Sequence, residues 1–83
     1  MLDEKNCRFI TANRIIELTR METHLLSILI KNRGKVVFHK DLEEEFYGMQ
    51  GIRGGISTRI SKLRKKLEGI LEIKTRVGVG YYI

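Results

Sequence analysis

The stretch ISTRISKLRKKLEG, Ile56–Gly69, decides how the rest of the chain is read. On a helix turning about 100° per residue, Ile56, Ile60, Leu63 and Leu67 recur at i, i+4, i+7 and i+11 and share one narrow stripe. Opposite that stripe lie Thr58, Ser61, Lys62 and Lys65, with Arg59 and Lys66 on one flank and Ser57 and Arg64 on the other. The pattern predicts a helix that buries one face and presents a polar, strongly positive surface elsewhere. Whether that charge serves a partner or only solubility depends on how charge is spread along the chain.

The chain has 83 residues and a formal net charge of +6. Residues 1–50 hold eight Lys/Arg and eight Asp/Glu, so they balance. Residues 51–83 hold Arg53, Arg59, Lys62, Arg64, Lys65, Lys66, Lys74 and Arg76 against Glu68 and Glu72 alone. The whole excess therefore sits in the last 33 residues. An even spread would serve solubility equally well, so the segregation points to a polyanionic partner. With 42% hydrophobic and 31% charged residues the composition is that of a folded globular chain. Its length suits one small domain, residues 1–83, with one modest core. No apolar run reaches the roughly 20 residues needed to cross a bilayer, and Met1–Ile10 lacks the apolar core of a signal peptide. A cytoplasmic location is the expectation. Cys7 is the only cysteine, which excludes an internal disulfide or a cysteine-based metal site and fits a reducing compartment.

Working outward from the basic helix, the tail LEIKTRVGVGYYI gives two strand-like pieces, Ile73–Val77 and Tyr81–Ile83, around Gly78 and Gly80, and predicts a closing hairpin. On the other side, GMQGIRGG has four glycines in eight residues and reads as a loop. Before it, Leu42 and Phe46 at i, i+4 predict a short helix from His39 to Tyr47 whose outside carries Asp41, Glu43, Glu44 and Glu45. KVVF, from Lys35, is long enough only for an edge strand or an extended connector. Further upstream Thr19 stands three residues before Glu22, a capping-box spacing that opens a helix with Met21, Leu25, Ile28 and Leu29 as its buried stripe. Arg20, Thr23, His24, Ser27 and Lys31 fall on its other side, and Gly34 is a natural stop. CRFI and RIIEL, separated by TAN, predict a small N-terminal antiparallel strand pair.

The expected order is hairpin, helix, helix, basic helix, hairpin. Those are the parts of an α+β winged helix-turn-helix, in which the third helix enters the major groove and the ribbon reaches a neighbouring backbone. Four segments also resemble the DNA-binding effector domain of OmpR/PhoB-type response regulators, the output half of bacterial two-component systems. The family patterns L-T-x-x-E-x-x-L-L, G-x-V-V, I-S-R-L-R-K-K-L and G-x-G-Y correspond to Leu18–Leu26, Gly34–Val37, Ile60–Leu67 and Gly78–Tyr81. The resemblance covers residues 18–83. It implies a recognition helix over 56–68 in the major groove, a wing over 75–80 on the adjacent minor groove, and tandem dimers on promoter direct repeats. Carried onto this sequence, it places Arg59, Ser61, Lys62 and Arg64 toward the groove, Thr75 at the start of the wing and Arg76 near its tip.

The chain departs from the pattern in several places. Phe38 stands where a Ser or Thr often caps the second helix, and Gly54-Gly55 replace the usual Arg-Thr before the third, leaving Arg53 as the nearest candidate for a phosphate contact. Val77 occupies a wing position where many relatives carry Arg or Trp. No receiver domain precedes the match, so the chain reads either as an excised output domain or as a stand-alone regulator.

The residue types suit the task. Lys and Arg displace counterions condensed on phosphates, which drives binding and makes it salt-dependent. Arg59, Lys62 and Arg64 can reach phosphates or guanine edges, and Lys65 and Lys66 add to the positive surface. Ser57, Thr58 and Ser61 are short enough to let the helix lie deep in a groove. The acidic second helix reads first as a solvated face and second as a docking surface for RNA polymerase. Nothing suggests an enzyme: the sequence has no phosphate-cradling glycine loop followed by Lys-Ser/Thr, no paired catalytic His and Glu, and no triad. No cofactor is implied. His24 and His39 lack carboxylate or cysteine partners at ligand spacing, so no metal is expected either. The alternative is a winged-helix module that docks a protein or RNA through the same basic helix. An RNA reader usually exposes aromatics for base stacking, whereas the six aromatics here mostly fall at core positions. A membrane-surface helix would need Ile56, Ile60, Leu63 and Leu67 free to insert, but the core claims them.

Overall fold

The computed structural model describes residues 1–46 and 55–83. Three short strands open the chain: β1 (Leu2–Asp3), β2 (Arg8–Ile10) and β3 (Ile15–Glu17). They form an antiparallel sheet in that order. The β2–β3 hairpin is the strand pair expected from CRFI and RIIEL, with Phe9 opposite Ile16. A third strand extends it. Two residues are too few for alternation to reveal, but Met1 and Ile10 exchange bonds at 2.7 and 2.8 Å and set Leu2 opposite Phe9.

The helix α1 (Arg20–Lys31) starts where the capping box requires. The Glu22 amide donates to Thr19 Oγ1 at 3.1 Å and the Thr19 amide donates to Glu22 Oε1 at 2.8 Å, so two free donors of the first turn are satisfied by side chains. Asn32 closes the helix, its side-chain amide donating to the Ile28 carbonyl at 2.8 Å. Gly34, at φ 85°, serves the turn that follows rather than the helix end itself. On α1, Leu25, Leu26 and Leu29 are fully buried while Met21 and Ile28 are half-buried. Thr23 and Ser27, expected on the solvent side, are buried as well. Thr23 Oγ1 donates to the Thr19 carbonyl at 2.9 Å, and Ser27 Oγ donates to Glu4 Oε1 at 3.0 Å. The N-terminal segment covers this second face of the helix, and both hydroxyls keep partners, as burial demands.

The strand β4 (Val37–Phe38) leads into α2 (His39–Glu45), whose cap position holds Phe38 with no side-chain cap bond. Phe46 ends it; Tyr47, the expected last residue, lies outside the described residues. The basic stretch forms α3 (Gly55–Lys66), two residues shorter at its C-terminal end than the expected 56–68. After it come β5 (Lys74–Arg76) and β6 (Gly80–Tyr82), the expected closing hairpin. KVVF does contribute an edge strand: β4 pairs with β6, so the second sheet runs β4-β6-β5. Gly80 makes this possible, because a Cβ there would collide with the Val37 carbonyl oxygen.

One core joins these parts. Leu25, Leu26 and Leu29 of α1 meet Leu42 of α2, Ile60 and Leu63 of α3, and Leu67 and Ile73 from the connection to the wing. The stripe inferred for Ile56–Leu67 is buried along its whole length. At about 1.5–3 kcal/mol for each fully buried Leu or Ile, this face fixes how α3 is rolled against the body, and hence which side chains it turns outward.

Candidate nucleic-acid interface

Burying Ile56, Ile60 and Leu63 leaves the opposite side of α3 in solvent: Thr58, Ser61, Lys62 and Lys65 are all exposed. Neither lysine ammonium has a salt-bridge partner among the described residues. The two flanks behave differently from this outer row, because each meets a neighbouring element.

On the wing side, the Ser57 hydroxyl shares a hydrogen bond of 3.1 Å with the Tyr81 hydroxyl. About two turns further on, Arg64 Nε donates to the Ile73 carbonyl at 2.9 Å, and its Nη2 donates to Thr75 Oγ1 at 2.8 Å. On the α1 side, Lys66 Nζ donates to Glu22 Oε1 at 2.6 Å and to the Glu17 carbonyl at 3.4 Å. Arg59 lies half-buried beside Met21, Leu25, Phe46 and Ile56, and its Nε is buried with no hydrogen-bond partner among the described residues. Arg53 lies outside the described residues.

The wing stands beside this helix. Lys74, Thr75 and Arg76 are exposed along all of β5. A tight turn follows, with the Val79 amide donating to the Arg76 carbonyl at 2.9 Å. Gly78 in this turn takes φ 75°, a value that favours glycine. Val77 stands at the apex and is 90% exposed. Lys74 was not singled out from the sequence, yet it extends the positive edge of β5, its Nζ 5.8 Å from the centre of the Tyr82 ring. The only signal was its charge, within a segment too short to show which residues face out.

The arrangement is a positive outer row on a helix, with a basic two-stranded ribbon tied alongside. Residues 13–83 match the family described as transcriptional regulatory protein, C terminal. The chain belongs to this family, the OmpR/PhoB-type DNA-binding domains.

Several relatives of the family resemble it along nearly its full length. The response regulator protein PmrA of Pseudomonas aeruginosa is 34% identical over 84 residues, covering 99% of this chain. The chain spans 38% of that protein's length. Among solved structures, the C-terminal domain of the nisin resistance regulator NsrR, a lantibiotic response regulator, superimposes with a TM-score of 0.81 at 25% identity, covering 95% of this chain and 85% of that one. The DNA-binding domain of Bacillus subtilis CssR gives 0.81 at 25% identity, with coverages of 99% and 96%. The DNA-binding domain of the response regulator AdeR, solved in complex with an intercistronic region, gives 0.79 at 26% identity, with coverages of 100% and 91%. The winged-helix reading of the element order thus agrees with these OmpR/PhoB-type domains.

Two electrostatic features complete this OmpR/PhoB-type surface. Burial works to raise the Glu22 carboxyl, but the Lys66 ammonium and the Thr19 amide outweigh it and hold the group below the ordinary carboxylate value. The acidic outside of α2 is exposed as expected, with Asp41, Glu43, Glu44 and Glu45 all in solvent. Each histidine meets one carboxylate there, His24 Nε2 lying 3.0 Å from Glu45 Oε1 and His39 Nε2 lying 3.7 Å from Glu43 Oε1. The first pair is not visible in the sequence because its partners are 21 residues apart, whereas the second sits at i, i+4 and corrects the expectation that His39 has no carboxylate at such a spacing. No group of three or more His, Cys, Asp or Glu side chains converges among the described residues.

Proposed function

We propose that this OmpR/PhoB-type domain reads duplex DNA at bacterial promoters with the outer row of α3 in the major groove and the wing on the adjacent minor groove. Residues 1–83 act as one unit in this reading, in the cytoplasm, as the output part of a two-component regulator. The observation that carries it is the exposed row Thr58, Ser61, Lys62 and Lys65, without ion-pair partners among the described residues, set beside the exposed β5 edge with Lys74, Thr75 and Arg76. The division of labour follows from the bonds. Lys62 and Lys65 project freely and serve phosphates or guanine edges, and Ser61 and Thr58 let the helix approach closely. Arg76 supplies the wing's contact. Ser57, Arg64, Thr75 and Lys66 act largely through the framework, since each already bonds a neighbouring element. Arg59 brings a guanidinium to the edge of this row, and Arg53 stands upstream of α3 as a further phosphate contact. Tandem dimers on direct repeats would set two such surfaces on one face of the duplex. The acidic face of α2 stays clear of phosphate and offers itself to RNA polymerase.

Fluorescence anisotropy across a salt series, with duplex DNA, single-stranded DNA and duplex RNA as probes, tests this directly. Duplex DNA should bind best and with a steep salt slope. Lys62→Ala should weaken binding to every duplex and reduce the slope by about one, the signature of one lost phosphate contact. Equal, weak binding to all three probes would reject the proposal and favour protein docking through the same helix.

A further inference from the structure

The wing is held to the body through β6, which pairs with β4, and through the His39 amide, which donates to the Val79 carbonyl at 2.9 Å; its outer strand β5 has fewer ties. Strand β5 lies at the edge of its sheet, paired on one side with β6 and on the other with no strand among the described residues. All three of its residues are exposed, so no apolar side chain on β5 packs it against the body. What meets it from α3 is Arg64, whose guanidinium grips the Ile73 carbonyl and the Thr75 hydroxyl at the start of the strand. Ile73 is only 2% exposed, so its carbonyl belongs to the rigid core and gives the grip a fixed end. A second tie, from Ser57 to Tyr81, joins the other end of α3 to the central strand β6.

We propose that Arg64 is a positioning residue that locks the wing to the reading helix, so that α3 and the wing engage DNA as one unit. This rests on the duplex-reading function proposed above. A guanidinium suits the role because its planar fork presents two donors in a fixed relation. A lysine would keep the charge but could not span both acceptors. With Nε and Nη2 both committed inward, the residue acts on DNA through the placement of Arg76 rather than by reading a base itself.

The test is a pair of double-mutant cycles in the same anisotropy assay, using Arg64→Ala with Arg76→Ala and, separately, Arg64→Ala with Lys62→Ala. Arg64→Ala is expected to weaken duplex binding about tenfold, and Arg64→Lys by nearly as much, since the charge alone does not rescue the grip. Adding Arg64→Ala to Arg76→Ala should cost little more, because the wing contact is already gone. Adding it to Lys62→Ala should multiply the two losses. Thr75→Val, which removes one acceptor and leaves the charge unchanged, should weaken binding and be non-additive with Arg64→Lys. That pair carries the test if Arg64→Ala melts below the assay temperature.

Independent losses in both cycles, non-additivity in both, wild-type affinity for Arg64→Lys, or no effect of Arg64→Ala would each overturn the inference. So would wild-type affinity for Arg76→Ala, which would remove the wing contact while leaving the α3 reading intact. A wild-type protein that shows no preference for duplex DNA would instead defeat the functional proposal before any variant is compared.

Discussion

At position 80 the second sheet leaves no room for a side chain. β4 crosses so close to β6 that the Val37 carbonyl and the Phe38 backbone fill the space a Cβ would take. Those obstacles are main chain, which can yield only by moving the whole strand, so glycine is required by contact here rather than by φ. Gly80→Ala should lower stability by about 1–3 kcal/mol in a urea titration, the range of forced overpacking. Unchanged stability would mean that β4 can shift outward at no cost. The motif G-x-G-Y marked this glycine in the sequence, but as a turn; its close approach to Val37 depends on a strand pairing that no local pattern shows.

At the scale of elements, the most informative residue is Glu22. It completes the capping box of α1 and receives the Lys66 ammonium from the end of α3, so one carboxylate joins a helix start to a helix end. Because its folded-state pKa is depressed, its contribution is fully present above the ordinary value of 4.5 and is lost as pH falls through the lower folded value. Glu22→Gln should cost about 1–2 kcal/mol at neutral pH, by removing a charge-assisted cap bond and the ion pair. The gap between variant and wild type should close as a thermal melt is repeated at progressively lower pH. A gap that stays constant below pH 4 would show that the charge of Glu22 plays no part.

The same elements show why only part of the structure was legible. Thr19–Glu22 lies within one turn, and the α3 stripe within three, so spacing alone revealed both. The flank assignments were legible too: Ser57 and Arg64 meet the wing, whereas Arg59 and Lys66 meet α1. What spacing could not give was what the flanks bond. Lys66 finds Glu22 across 44 positions, and Arg64 finds its acceptors beyond the end of its own helix. A charge census counts such side chains as free when the fold has already committed them. Thr23 and Ser27 misled in the same way, because polar residues on one helix face suggest solvent until a segment such as Glu4 arrives to bond them.

Across the whole molecule, positive charge is not uniform in purpose. Lys31 and Arg33 line a groove between the N-terminal sheet and the end of α1, in company with Met1, Phe9 and Ile83. They are as basic as Lys62, but no residue of α3, β5 or the wing turn lines that groove. Arg33→Ala should therefore leave duplex affinity within about twofold of wild type and the salt slope unchanged, because only phosphates actually contacted enter the slope. A slope reduced as much as by Lys62→Ala would mean that DNA wraps further around the domain than α3 and the wing alone can account for.

The order β4-β6-β5 also bears on how the chain acquires its shape. The strand that comes last in sequence lies in the middle, and its partner Val37 precedes Tyr81 by 44 positions. During synthesis β4 and β5 must each wait for residues 80–82 before either has a ladder to join. The helices can gather early around their leucines, but the ribbon meant for the minor groove can assemble only at the end, in a single step that closes both of its pairings together.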